Sequence, residues 1–532
     1  MAGLREATAA IEPQEEPLRA GGGEAGRERQ RKLGRLPVRE RLARLLDPGE
    51  PFRELGLWAA WKMYPEWGDV PAAGIVTGIG TIAGQPCMVA ANDATVKAGA
   101  MFPQSVKKMI RAQKIAHRLR LPVVYLVDSA GVFLPLLDEI FPDEDDFGRI
   151  FRNNAVLSAE GIPQFAAVMG NCIAGGAYLP VLCDKILMTE GSQLCLAGPA
   201  LVKAAVGQTV DPEELGGAAM HAAISGTVDF REKDDAACLA RLRSLVSLLP
   251  ARTTTAADGG PPPRTGRPAD DVYGLVPADG RGEYEIRDVL DCIVDAGSFQ
   301  EFKPEFGRTL VTGYARIGGR PAGVVANARR RATDARGEVQ IGGVLYGDAA
   351  EKAARFVDDC EQNRVPLVFL QDVQGFMVGR QAEQSGIIRS GAELVRAMST
   401  ATVPKFTVII GSSYGAGHYA MCGRAYDPAL ILAWPNARYA VMGGAQAADT
   451  LLSLRVRDAE KGGTRLTEPQ LAELRDSIRR TYQEETDIRY AAARGWVDAI
   501  IAPHETRGWL AAALAAIRPA DLARPRCIER DV

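Results

Sequence analysis

The sequence predicts an α/β protein built from two tandem, duplicated domains, and three observations carry that prediction. The first is repetition. Val76–Asn92 reads VTGIGTIAGQPCMVAAN and Val311–Asn327 reads VTGYARIGGRPAGVVAN, agreeing at nine of seventeen positions across a separation of 235 residues. Three more pairs follow in the same order: Arg39–Phe52 with Arg287–Phe299, Pro122–Gly131 with Pro366–Gly375, and Pro163–Tyr178 with Pro404–Tyr419. A period this long lies far outside the solenoid range and marks a duplicated domain. The second observation is alternation: short apolar runs bounded by turn residues alternate with segments of helical period, as in buried sheets covered by helices. The third is the Pro/Gly/Thr-rich stretch ARTTTAADGGPPPRTGRPADD, residues 251–271, which reads as a linker between the copies.

Element by element, residues 1–30 read as a flexible polar lead-in, because Glu6, Glu12, Glu15 and Glu16 leave no apolar stretch. The first domain, 31–250, opens with a helix over Leu36–Leu46, stopped by Asp47-Pro48-Gly49. Strands follow at Ala73–Gly80 and Pro86–Asn92, then a helix over Ser105–Arg118 and a strand at Val123–Val127. A helix over Asp146–Ser158, a strand at Gln164–Met169, a tight glycine turn and a helix from Ala174 to Cys183 continue the series. The second domain, 272–518, repeats it: strands Leu310–Arg316 and Ala322–Asn327, helix Asp348–Asn363, strands Leu367–Gln371 and Lys405–Ile410, turn, helix. Residues 519–532 read as a tail.

Composition narrows the function. A net charge of −3 and a pI near 6.0 argue against a nucleic-acid or anionic-membrane partner. No run approaches the ~18 apolar residues of a membrane span. The nine cysteines contain no CxxC pair and sit mostly in apolar segments, as reduced core thiols do, which favours a cytoplasmic protein. The four histidines fall in no HxH or HExxH spacing, and GxSxG and GxxxxGK[ST] are absent. Metallohydrolase, serine hydrolase and P-loop chemistry are thereby disfavoured, and no metal is expected.

Small residues instead recur at one place in both copies: Ala174-Gly175-Gly176-Ala177 and Gly415-Ala416-Gly417-His418, each after a buried strand and before a helix. The first N–H groups of a helix lack intrahelical acceptors and stand at the positive end of its dipole, so such a turn is a natural oxyanion site. The competing reading is close helix–strand packing; duplication of the turn brings the two to even terms. Asp128 and Asp372 read as strand-end helix caps rather than catalytic carboxylates. Lys97, Lys107, Lys108 and Arg111, several on one helical stripe, read equally as a phosphate grip or a solvated face. The run Arg329–Arg331, within the basic segment Ala328–Gln340, carries the same two readings. Tyr178 and Tyr419 read as core aromatics first, and His418 adjoins the second turn as a titratable group.

At these turns the sequence resembles the carboxyltransferase (β) subunits of biotin-dependent acyl-CoA carboxylases, of the methylcrotonyl-CoA and propionyl-CoA type, in the crotonase superfamily. The resemblance runs from about residue 30 to 515 and rests on NDATVKAG, RLPVVYLVDSAG, FPDEDDFGRIFRNNAVLSAEGIPQFAAVMGNCIAGGAY and LAGPALVKAAVGQ in the first half. In the second half it rests on LVTGYARIGG, PLVFLQDVQGFMVG, VIIGSSYGAGHYAMCGRAYDP and WPNARYAVMGGAQAA.

That resemblance implies two crotonase-like ββα-superhelix domains, the first binding acyl-CoA and the second, from a neighbouring subunit, binding carboxybiotin, within a hexameric β core. It places the Gly175 and Gly176 N–H groups on the thioester enolate oxygen and those of Ala416 and Gly417 on the ureido oxygen of biotin. Ala174, Ala177, Tyr178, Lys97, Lys107 and Lys108 then fall on the acyl-CoA side, and Phe376, Tyr414, Gly415 and His418 on the biotin side. Because the chain has no AMKM biotinylation motif, biotin is expected on a partner, a biotin carboxylase/biotin carrier α-subunit. NDATVKAG, FPDEDDFGRIF and YGAG resemble the 3-methylcrotonyl-CoA and geranyl-CoA branch, with propionyl-CoA the other expected substrate. GEVQIGGVLYGDAAEKAARF is similar to glutaconyl-CoA decarboxylase subunits, so a decarboxylase running the transfer backwards is the alternative. A crotonase-type hydratase or isomerase would want a glutamate over the first turn, and none lies within ten residues of Gly175.

Overall fold

The computed structural model describes residues 3–250, 263–280, 282–334, 336–441, 451–453, 455–457, 461, 466–518 and 522. The chain divides into two compact units. One comprises Glu12–Thr254 with Ala493–Gly495, the other Met1–Ile11, Thr255–Ala492 and Trp496–Val532.

The first unit is built on an eight-stranded sheet: β1 (Arg53–Leu55), β2 (Ile75–Ile82), β3 (Gln85–Asn92), β4 (Val123–Ser129), β5 (Gln164–Ile173), β6 (Lys185–Thr189), β7 (Gln193–Cys195) and β8 (Phe230–Glu232). Their order is β1-β2-β3-β4-β5-β6-β8, with β7 also pairing β5. β1, β2 and β3 are antiparallel, and from β3 onward every neighbour is parallel. Parallel strands are buried on both faces, which is why Val123–Val127 reads as a continuous apolar run rather than an alternating one.

The second unit repeats the design with β9 (Gln300–Phe302), β10 (Leu310–Ile317), β11 (Arg320–Asn327), β15 (Leu367–Val373), β17 (Lys405–Tyr414), β18 (Leu430–Ala433), β19 (Arg438–Ala440) and β20 (Ala499–Ile500). The order β9-β10-β11-β15-β17-β18-β20, with β19 on β17, matches the first sheet position for position. Two small pairs complete the strands: β12 (Ala332–Thr333) with β13 (Val339–Gln340), and β14 (Val344–Leu345) with β16 (Gly375–Phe376). The repetition reaches single residues. The β4–β5 register shifts between Val127 and Ser129, and the β15–β17 register between Gln371 and Val373. The irregularity thus falls on Asp128 in one copy and Asp372 in the other.

Helices fall where the periodicity puts them, with ends moved by local chemistry. The expected Ser105–Arg118 helix is Pro103–Leu119, because Pro103 suits a first-turn position and the Ser105 hydroxyl accepts from the Phe102 N–H at 2.9 Å. It stops at Arg120, which takes a left-handed conformation. The helices Val38–Leu45, Phe147–Ala159 and Gly347–Gln362 likewise answer expected segments. Leu42 and Leu45 of the first pack on Val89, Leu126, Phe165 and Leu187 of the sheet.

One expectation of disorder is corrected. The described residues of 1–30 form helices Leu4–Ala9, Glu12–Ala20 and Gly23–Lys32 rather than a flexible lead-in. They are pinned by few but specific contacts: Leu4 is buried, Glu15 accepts from the Trp58 indole at 3.0 Å, and Gly22 N–H donates to Thr95 Oγ1 at 2.9 Å. Low hydrophobicity hid them, since two buried leucines, Leu4 and Leu18, and a few hydrogen bonds leave little pattern in a charged segment. Of the expected linker, residues 251–262 lie outside the described residues, whereas Thr265 bridges Asp295 and Arg267 N–H donates to Asp291 O at 3.0 Å. The expected tail, apart from residue 522, and the segment 442–450 also lie outside them.

Candidate active site

Each glycine turn begins with one left-handed residue at the end of its long central strand. After β5, Ala174 has φ 62°; after β17, Gly415 has φ 53°. The repeat aligns these two positions. A left-handed alanine costs about 1–2 kcal/mol, which Gly415 avoids. Its presence in both copies shows the reversal to be part of the design. In the first copy a turn of 3₁₀ helix, Ala174–Ala177, leads into the helix Tyr178–Val181. Gly175 is exposed and Gly176 partly so, while Ala177 is buried. In the second, Tyr414 caps the helix Gly415–Ala420, Ala416 is exposed and Gly417 buried.

The two turns use their glycines differently. A Cβ added at Gly176 would meet no atom within 4 Å, so the space beside it is open. One added at Gly417 would lie 2.5 Å from Val373 Cγ2 and 3.1 Å from Gly375 Cα. Gly417 is therefore a packing glycine whatever else it does, whereas packing does not require a glycine at Gly176.

His418 is a buried structural member of the second turn. Its Nε2 accepts from Arg424 N–H at 3.3 Å and from the Tyr439 hydroxyl at 2.6 Å. The ring proton therefore belongs on Nδ1, which donates to Ser413 Oγ at 2.8 Å. Ser413 donates in turn to Gln371 Oε1 at 2.7 Å, and Gln371 Nε2 donates to Met421 O at 2.6 Å. Burial lowers the imidazole pKa to about 4. With both nitrogens engaged, this histidine locks β15, β17 and the turn together and has no face left for proton exchange with a ligand.

Behind each turn lies a buried aspartate, and neither caps a helix as expected. Asp128 accepts from Asn171 N–H at 3.3 Å and pairs with Arg41 Nη2 at 3.2 Å and Arg35 Nη1 at 3.5 Å. Asp372 accepts from Ser412 N–H at 2.8 Å and from the Tyr284 hydroxyl at 2.9 Å, and pairs with Arg329 Nε at 3.3 Å. Asn92 and Asn327 accept from the N–H groups of Asp128 and Asp372 at 3.4 and 3.1 Å. Gly170 and Gly411 make room, because a Cβ at either would collide with the carboxylate. Burial pushes the Asp128 carboxyl up, with Arg41 and Arg35 pulling the other way. The aspartates fasten the strand irregularities from which the turns spring. Sequence reasoning missed the arginines that hold them; a buried carboxylate demands a counter-charge, but Arg41 lies 87 residues away and Arg329 43.

A cavity of about 20 Å³ adjoins the first turn, lined by Gly176, Phe147, Leu179, Met101, Met109 and Val127 among others. Its hydroxyl and thiol are already committed. Ser129 Oγ donates to Gly99 O at 2.7 Å and accepts from Gly131 N–H at 3.1 Å, and burial pushes the Cys172 thiol up to about 12. The cavity offers apolar contact and no acid or base.

The basic residues separate. Lys108 is buried, donating to Ala72 O at 3.0 Å and Ile75 O at 2.5 Å, and desolvation lowers its pKa to about 7. It cannot grip a phosphate from there; adjacent helical residues point ~100° apart, so Lys107 is exposed while Lys108 faces inward. Lys97 is exposed and donates to Trp67 O at 2.6 Å. Arg329 is likewise buried, and Arg331 holds Glu283 at 2.8 Å. Tyr178 and Tyr419, expected in the core, are each 50% exposed beside their turns. Phe376, in β16, packs against Gly391 on the helix Ile387–Thr400. Among the described residues no cluster of His, Cys, Asp or Glu suits a metal ion, and no helix is long and apolar enough to cross a membrane.

Known proteins resemble this chain along almost its whole length. The carboxyl transferase domain family model matches residues 29–527. The biotin-dependent 3-methylcrotonyl-coenzyme A carboxylase beta1 subunit of Mycobacterium tuberculosis is 45% identical, covering 94% of this chain and 92% of its own. The mitochondrial methylcrotonoyl-CoA carboxylase beta chain of Arabidopsis thaliana is 43% identical, covering 93% and 83%. Among solved structures, the P. aeruginosa geranyl-CoA carboxylase beta subunit superposes with a TM-score of 0.85 at 36% identity, covering 98% of this chain and 95% of its own. With both repeats inside the family match and such relatives aligned almost end to end, the chain belongs to the carboxyl transferase domain family.

Proposed function

We propose that this chain is the β subunit of a 3-methylcrotonyl-CoA-type carboxylase and that its two turns hold the two oxyanions of the transfer. The Gly175 and Gly176 N–H groups receive the thioester oxygen of the acyl-CoA, and those of Ala416 and Gly417 the ureido oxygen of biotin. The observation that carries this reading is the shared left-handed residue, Ala174 and Gly415, that follows each long strand and opens each turn. The substrate class follows the names of the relatives, two of them methylcrotonyl-CoA carboxylase β chains.

The residues at the second turn suit a ureido group: Ala416 is exposed at the first turn of its helix, flanked by the half-exposed Tyr419 ring and the exposed Val441. Biotin, carried by an α-subunit partner and delivered as carboxybiotin, supplies the carboxyl group and the base. The chain's own contribution is orientation and oxyanion stabilisation, in which loss of one donor costs ~10²–10³ in kcat. That division of labour agrees with a first pocket lined by no carboxylate, histidine or lysine and a second-turn histidine held neutral. On the acyl-CoA side, Lys97 and Lys107 remain the exposed cations for phosphate, and Lys108 is withdrawn from that role. A hexameric β core brings the first turn of one subunit to the second turn of its neighbour.

The test is carboxyl transfer from a panel of carboxylated acyl-CoAs to free biotin, and then with the α-subunit present. Transfer from 3-methylglutaconyl-CoA is expected. Transfer from methylmalonyl-CoA alone would move the chain to the propionyl branch, and no transfer with the partner present would overturn the reading.

A further inference from the structure

The cavity beside Gly176 has a size and chemistry that speak to which acyl groups the first turn accepts. Resting on the carboxyltransferase reading, we propose that it seats the non-reacting methyl branch of a short β-branched acyl group, and that Met101 and Met109 set the length limit.

Size comes first. About 20 Å³ is room for about one water-sized or methyl-sized group, since such a group needs ~10–15 Å³ on this measure. An unbranched short chain leaves this space empty, and a chain longer by several carbons does not fit it. Chemistry comes second. Ser129 Oγ has its donor and acceptor engaged, and Asn92 Oδ1 accepts from Asp128 N–H. The other lining side chains, Met101, Met109, Val127, Leu179, Phe147 and Ile173 with the protonated Cys172 thiol, are apolar, and so is the guest.

Side-chain shape then distinguishes the wall residues. Phe147 lies beside the turn, its ring 3.4 Å from where a Cβ on Gly175 would lie. Met101 and Met109, 4% and 2% exposed, are the longest unbranched side chains lining the cavity. Their backbones are fixed. Met101 N–H donates to Gly131 O at 2.8 Å, its carbonyl accepts from Phe133 N–H at 2.9 Å, and Met109 lies mid-helix in Pro103–Leu119. Two flexible thioether side chains thus stand on a rigid frame, and shortening either enlarges the cavity without moving the turn.

The experiment compares kcat/KM for crotonyl-CoA, 3-methylcrotonyl-CoA and geranyl-CoA, using the full chain with its biotin-bearing α-subunit. The wild-type protein is expected to favour 3-methylcrotonyl-CoA over crotonyl-CoA by ~10-fold or more, the worth of one seated methyl group. Met109→Ala, and independently Met101→Ala, is expected to raise the geranyl-to-methylcrotonyl ratio by ~10-fold or more. Thermal melting identifies a variant that fails to fold, and the other variant then decides. Active variants with unchanged ratios overturn the inference and leave the carboxyltransferase reading standing. A wild-type protein active on none of the three overturns that reading itself.

Discussion

Gly176 and Gly417 occupy equivalent positions and are expected to fail differently when enlarged. Gly176→Val places its side chain in open space, so the variant should melt like the wild type while losing ~100-fold or more in kcat. Gly417→Val drives a Cβ into Val373 and Gly375, so its first symptom should be a lowered melting temperature, read by calorimetry. His418 gives a pH prediction. Its folded pKa of about 4 lies below the ordinary 6.5, so the unfolded chain binds the extra proton first on acidification. The stabilisation is complete above pH 6.5 and is lost as pH falls toward 4. Denaturation midpoints should drop from pH 7.5 to pH 5, less so in His418→Gln, and activity above pH 5.5 should show no inflection from this residue. The glycines were legible in the sequence because duplication repeated them. The fate of His418 was not, since its partners Arg424, Tyr439 and Ser413 converge only once the strands have paired.

The helix Pro103–Leu119 shows what periodicity does and does not reveal. Its apolar positions fix the helix, yet a lysine within it was ambiguous between surface and interior. Lys108 resolves inward because the carbonyls of Ala72 and Ile75 need a donor there. Lys108→Met should leave the KM for acyl-CoA within twofold of wild type and cost about 1–3 kcal/mol of stability through the two stranded carbonyls, measured by urea denaturation. Lys107→Ala should do the reverse, raising KM without touching stability. The strands were legible for a simpler reason: parallel pairing buries both faces, and a continuous apolar run between turn residues has few other uses. The N-terminal helices were not, because what holds them is a handful of hydrogen bonds from charged and polar residues.

Duplication is the property of the whole molecule that the sequence displays most plainly, and the two sheets share one strand order. It also frames a test of the assembly. If a site combines the first turn of one subunit with the second turn of its neighbour, co-expressing Gly176→Val chains with Ala416→Pro chains should restore about a quarter of wild-type activity, since half of random pairs carry one intact site of two. Each variant alone should be nearly inactive, and absence of rescue in purified mixed assemblies would place both turns of a site in one chain. The buried aspartates carry a different consequence. Asp128 is neutralised by Arg41 and Arg35 from the chain ahead of its sheet, and Asp372 by Arg329 immediately after β11. The counter-charges arise at unrelated places, yet each lies in the same copy as its carboxylate. Recombination between related genes at the seam of the repeat would thus exchange one half for another without stranding a charge, leaving either half free to drift toward a new ligand while its sibling keeps the old one.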